Sequence, residues 1–151
     1  MFPAGTPTGR IMHWQFPRAR RARVAGNCSY DPPMVMVGIV PERYSYHMIK
    51  ETGVFVVNLA AQKNKKAFTY LGSHNGRDEN KLQNLGLSVA DGLKVDAPVL
   101  LDFPVNIECK VVGSIKTGSH EMFIGKVLYV HADGELLDDN GEVEYARIKF
   151  L

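Results

Sequence analysis

The sequence predicts a mainly β, antiparallel fold with a few short helices. Three observations carry that expectation. From Gly26 onward, short apolar runs follow one another with only brief helical stretches between them, unlike the regular strand–helix alternation of a doubly wound sheet. Between Val105 and Val112 the residues alternate: Val105, Ile107, Cys109 and Val111 point one way, Asn106, Glu108 and Lys110 the other. That is the pattern of a half-buried antiparallel strand. The runs are also punctuated by turn chemistry, "DPP", "KTGSHE" and "DDNG".

Each element follows in order. Val24-Ala25-Gly26 leads into "NCSYDPP", a polar stretch closed by two prolines. Met34 to Val40 is nearly all apolar and reads as a strand buried on both faces. Ser45 to Glu51 reads as a short helix, with Ser45 capping its first N–H groups and Gly53 placed to end it. Val54 to Leu59, "VFVVNL", is β-branched and reads as a strand. Lys63 to Leu71 reads as helical with a solvated lysine face, and Asp78 as the N-cap of a short helix through Leu82 and Leu85 that ends at Gly86. Pro98–Leu101, Val105–Val112 and "MFIGKVLYVHA" read as strands. Glu142 to Lys149 returns as a final strand or a single helical turn.

The chain has 151 residues, which suits one domain or one domain with an appendage, and at this length a core can be buried without staples. Two cysteines, Cys28 and Cys109, make no disulfide framework and point to a reducing, cytoplasmic setting. No apolar run approaches the roughly 20 residues of a membrane span. Residues 1–25 hold Arg10, Arg18, Arg20, Arg21 and Arg23 and no acid, so the rest of the chain is net acidic. The main body therefore gives no electrostatic reason to expect nucleic acid. The opening segment, broken by Pro3, Pro7 and Pro17, reads as a disordered or aberrant leader, a nucleic-acid arm or a targeting segment. The division expected is a leader over 1–25 and a folded domain over 26–151.

Several chemistries lack their motifs. The sequence contains no Walker loop, no G-x-G-x-x-G turn, no H-E-x-x-H and no paired C-x-x-C, and its five histidines are scattered. A metal site is not expected. Ser29 lies in "NCSYD", which is not a hydrolase elbow. Demanding chemistry is more easily supplied by a bound cofactor.

Polar clusters sit between the apolar strands. Asn27, Cys28 and Ser29 offer small donors at a strand end, or simply form a turn. Arg43, Tyr44 and Ser45 precede a helix start, where a guanidinium, hydroxyls and free N–H groups suit a phosphate; the plainer alternative is a surface arginine beside a capping serine. Ser73, His74, Gly76, Arg77, Asp78 and Lys81 combine a permissive glycine with positive charge at another helix start, or form a polar loop. His120 opens a strand after Gly118-Ser119, either poised toward a ligand or solvated at a turn.

Taken together and in this order, the stretches "NCSYDPPMVMVGIVPERYSYHMIKETGVFVVNL", "LGSHNGRDENKL", "APVLLDFPVNIECKVV" and "GSHEMFIGKVLYVHADGELLDDNG" resemble the flavin reductase-like family of FMN-binding split-barrel proteins, which includes flavoredoxin. The resemblance covers about Gly26 to Leu151. It implies a split β-barrel of six or seven strands working as a homodimer, with FMN near the subunit interface. It further implies NAD(P)H as electron donor, or a redox partner protein that takes electrons from bound FMN. By position, it implies Asn27, Cys28 and Ser29 along the flavin ring and ribityl chain. Arg43, Tyr44 and Ser45 fall on ribityl and phosphate oxygens, and Ser73, Arg77 and Lys81 on the phosphate. His120 falls near the ring or the nicotinamide, as the candidate catalytic residue. The family's opening strand pair is replaced here by "MFPAGTPTGRIMHWQFPRARRARVA", an atypical N-terminal segment that puts one wall of the flavin slot in question.

Overall fold

The computed structural model describes residues 4–5, 24–74 and 79–151. A six-stranded antiparallel sheet is built around two long strands, β7 (Val105–Lys116) and β8 (Glu121–Ala132), which pair along their length. β2 (Val24–Tyr30) and β3 (Pro33–Ile39) form a hairpin, and β3 lies on the first half of β8. The second half of β8 takes β1 (Ala4–Gly5), and the first half of β7 takes β4 (Val54–Leu59). The main path across the sheet is β2-β3-β8-β7-β4. A separate two-stranded pair, β5 (Val89–Asp91) and β6 (Pro98–Leu100), accompanies it.

Three helices complete the described fold: α1 (Tyr44–Thr52), α2 (Lys65–Ser73) and the one-turn α3 (Lys81–Asn84). α1 ends as the sequence predicts, with Gly53 left-handed at φ 68° and its N–H bonded to the Ile49 carbonyl. Its beginning differs. Arg43 is the N-cap residue and no side chain caps the first turn, so Ser45 lies inside the helix instead of capping it. Asp78 lies outside the described residues; the cap of α3 is Asn80, whose side chain accepts from the Gln83 N–H.

The core gathers Val35, Phe55, Ile107, Cys109, Phe123, Val127 and Val130 from the central strands. Gly125 is required there, because a Cβ at that position would stand 2.4 Å from the Phe55 ring and 2.9 Å from the Cys109 Cβ. Burial pushes the Cys109 thiol up to about 12, with the Glu108 carboxylate adding to the effect, so this thiol behaves as an apolar core group. The C-terminal segment closes over the end of β4: Tyr145–Arg147 make a single 3₁₀ turn, and Phe150 bridges to Ala61. Of the two expectations for that segment, the helical turn is the one observed.

Two strand expectations are corrected. β3 was expected to be buried on both faces, yet only Val35 and Gly38 are fully buried, and its other residues are half-buried. β7 was expected to show a solvent face through Asn106 and Glu108, yet both are 0% exposed. The segment from Gly92 to Phe103 folds over that face and gives its polar side chains main-chain partners. Asn106 accepts from the Leu100 N–H at 3.2 Å, and Glu108 accepts from the N–H groups of Leu93, Lys94 and Val95 at 2.7–2.9 Å. A buried polar group is tolerated when it is satisfied in this way.

Candidate functional site

β3 connects two polar regions. At its start, Asn27 pairs with Val35 and Ser29 with Met34, and the register shifts between them, so Cys28 is the extra residue of a β-bulge. A bulge turns side chains away from the regular alternation. Here it leaves Cys28 exposed and Asn27 and Ser29 half-buried. Desolvation holds the Cys28 thiol above its ordinary value, so it is not an activated thiolate. At its far end, β3 passes through Val40–Glu42 into Arg43 and α1. The four residue steps from Val35 to Ile39 separate the two regions by about 13 Å along the strand.

The start of α1 gathers groups whose chemistry suits an anion. Its first N–H groups have no side-chain cap, and no acid lies in its first turn. Arg43, Tyr44 and Ser45 are all exposed beside them. Free helix N–H groups and a guanidinium form a donor set suited to a phosphate.

What fixes this helix is a group the sequence reading missed. Glu121, only 2% exposed, opens β8 next to His120. Its carboxylate accepts from the Tyr46 hydroxyl at 2.5 Å, the Ser114 hydroxyl at 2.6 Å and the Lys50 ammonium at 3.2 Å. The hydrogen bond from Ser114, then those from Tyr46 and Lys50, hold the carboxyl down to about 2 despite its burial. The same bond raises the Tyr46 hydroxyl above its ordinary value. The Tyr46 ring meets Phe123 edge-on at 5.7 Å. Ser45 and His120 are thus each one residue from a directly bonded pair, which ties the start of α1 to the β7–β8 hairpin. The only local sign of this was an acid at the head of an apolar strand; its partner Tyr46 lies 75 positions away.

His120 is half-buried. Its Nδ1 meets the Ser119 hydroxyl at 2.7 Å, and its Nε2 is buried with no hydrogen-bond partner among the described residues. An unsatisfied buried ring nitrogen is available to a ligand.

The third cluster lies at the end of α2. The Ser73 hydroxyl donates to the Thr69 carbonyl at 2.9 Å, and the Lys81 ammonium donates to the Leu71 carbonyl at 2.8 Å, so these two residues share one end of the helix. His74 stacks on Tyr70 with ring centres 3.8 Å apart. Arg77 lies outside the described residues. No group of acids, histidines and cysteines suited to a metal ion occurs among the described residues.

An antiparallel split-barrel sheet carrying polar donor clusters at its strand ends defines the class of protein. Residues 19–149 match the family described as flavin reductase like domain, and the chain belongs to that family. Among solved structures it is similar to the flavoredoxin of Desulfovibrio vulgaris (Miyazaki F), with a TM-score of 0.76 and 32% identity, covering 82% of this chain and 66% of that one. An uncharacterised protein of Archaeoglobus fulgidus is 32% identical over 117 residues, which is 78% of this chain and 66% of the relative. A protein of Methylorubrum extorquens named FMN reductase (NADH) is 27% identical over 104 residues, 69% of this chain and 50% of the relative. The chain therefore spans 50–66% of the length of these three proteins.

Proposed function

We propose that this chain binds FMN and serves NAD(P)H-dependent flavin reduction or flavoredoxin-like electron transfer. The observation that carries the reading is the start of α1, with uncapped N–H groups, no first-turn acid and an exposed arginine, in a chain of the flavin reductase like domain family. This donor set fits the dianionic phosphate of FMN: Arg43 offers a planar fork, the helix N–H groups offer fixed dipoles, and Tyr44 and Ser45 offer hydroxyls. Ser73, Arg77 and Lys81 would add phosphate contacts. Asn27, Cys28 and Ser29 on the bulged hairpin would meet the ring and ribityl chain, and β3 supplies the spacing that an elongated ligand needs.

Bound FMN supplies a ring that accepts hydride and passes electrons on, which no side chain here can do. The chain's own task is to grip, orient and shield. Its two thiols are both held above their ordinary values, so neither competes as a nucleophile. His120, with its unpartnered Nε2, is the side chain proposed to touch the ring or the nicotinamide. Assembly as a homodimer belongs to the same reading. It is supported by the outer half of β7, which lies beyond the reach of β4 and exposes Val112 (53%) and Ile115 (57%). A cytoplasmic setting, a redox partner protein and a division into a 1–25 leader and a 26–151 flavin-binding unit complete the proposal.

The test is an absorption spectrum of the purified chain and an FMN titration of wild type and Arg43→Ala. A flavin band near ~450 nm, with Arg43→Ala about tenfold or more weaker, is the expected result. Unchanged affinity would show Arg43 to be a surface residue, and no flavin binding at all would sink the reading. Flavin binding without flavin-dependent NAD(P)H oxidation would leave a non-catalytic FMN-binding module.

A further inference from the structure

α1 buries one residue of its nine, Ile49. A chain link of four residues, Val40 to Arg43, joins it to β3. Apolar burial is therefore a weak anchor for a helix whose first turn must stay in place. The stronger anchor is polar. Tyr46 and Lys50 lie one turn apart on the face turned to the sheet, and both donate to Glu121. Each carboxylate oxygen takes one α1 donor: Oε2 receives Tyr46, and Oε1 receives Lys50 together with Ser114 of β7. Glu121 also stands where three strands meet, paired with Ile39 of β3 and with Lys116 of β7. A nearly fully buried carboxylate with three donors holds α1 in place, because moving the helix would take away Tyr46 and the cationic Lys50 and leave the charge with Ser114 alone.

We propose that Glu121 is a positioning residue for the anion end of α1. Acting through Tyr46 and Lys50, it fixes where the helix presents its first N–H groups and Arg43, and so sets a preference for the phosphorylated flavin over the unphosphorylated one. The inference rests on the FMN reading above. Glu121 touches no ligand itself; its effect reaches the phosphate through the helix it holds.

The experiment measures FMN and riboflavin affinities side by side, by quenching of flavin fluorescence, for wild type, Tyr46→Phe, Glu121→Gln and the double variant, well below the unfolding temperature. Tyr46→Phe keeps the Lys50–Glu121 pair, so it changes the anchor without freeing a charge. The expected result is FMN affinity about tenfold weaker in each single variant, with riboflavin affinity changed by less than about twofold. The double variant is expected to be no worse than Glu121→Gln, since both act on one contact. Equal losses for the two ligands would reduce Glu121 to a support of the fold and overturn the inference, as would unchanged FMN affinity in variants of a wild type that prefers FMN. If Glu121→Gln does not fold, Tyr46→Phe decides alone. A wild type that binds neither flavin removes the FMN reading and this inference with it.

Discussion

Glu108 and Glu121 are both buried on the paired strands β7 and β8, and they are held in opposite ways. Glu108 takes three main-chain N–H groups from one loop, Leu93, Lys94 and Val95, together with the ring of His131. Burial would push its carboxyl up, but the bonds from His131 and the loop outweigh that and hold it below its ordinary value. Glu121 takes only side-chain donors, from α1 and β7. The first arrangement fixes the shape of a loop whose donors no substitution short of proline can remove. The second docks a helix through donors that can be deleted one at a time. A main-chain cage suits permanent architecture; a side-chain clasp suits an element whose placement governs a binding site.

The largest way to break this comparison is Glu108→Ala. It removes the carboxylate that three main-chain N–H groups and the His131 ring bond, and stability should fall by about 3–5 kcal/mol in urea unfolding. A loss under 1 kcal/mol would mean the loop holds itself. Gly125→Ala comes next, because Gly125 lies on β8, which carries Glu121 and pairs with the β7 strand of Glu108, and a Cβ there meets the Phe55 ring and Cys109. The expected loss is about 1–3 kcal/mol by the same measurement, from overpacking at unchanged charge.

Much of the frame that carries these nodes was legible in the sequence, and the reason is local. β4 matches its predicted span, since "VFVVNL" needs no partner to show its β-branched pattern, and Gly53 marks the end of α1 by its own φ preference. The nodes were not legible. Asn106 and Glu108 alternate with apolar residues as a solvent face does, and only the segment at 92–103, which includes β6 and folds back over β7, makes that face interior. The bulge at Cys28 depends on the register with β3, and the Glu121 clasp on Tyr46 far away in sequence. The candidate cofactor residues, by contrast, stood out as polar clusters and took their flavin roles from resemblance, which implies a role without reporting what holds the residues.

Acidification sharpens the contrast between the nodes. Glu121 is depressed from 4.5 to about 2, so its contribution is complete above about 4.5 and is lost as pH falls toward 2. Glu108 shifts in the same direction. Wild-type stability should therefore fall over that window, and Glu121→Gln, lacking one of these titrating groups, should fall less steeply in thermal unfolding followed from pH 6 to 2. Parallel curves would show that the clasp does not titrate with folding. The smallest effect is that of Tyr46→Phe, which removes one donor of three; its melting temperature should drop by less than that of Glu108→Ala, and a larger drop would invert the comparison.

The central claim is that donors at the start of α1 receive the phosphate of a flavin. Titrating FMN and riboflavin into the purified chain under identical conditions tests it most directly. The account predicts saturable FMN binding at least about tenfold tighter than riboflavin, the discrimination expected when a charged phosphate meets built donors. Equal affinity for the two flavins, or none for either, would contradict it.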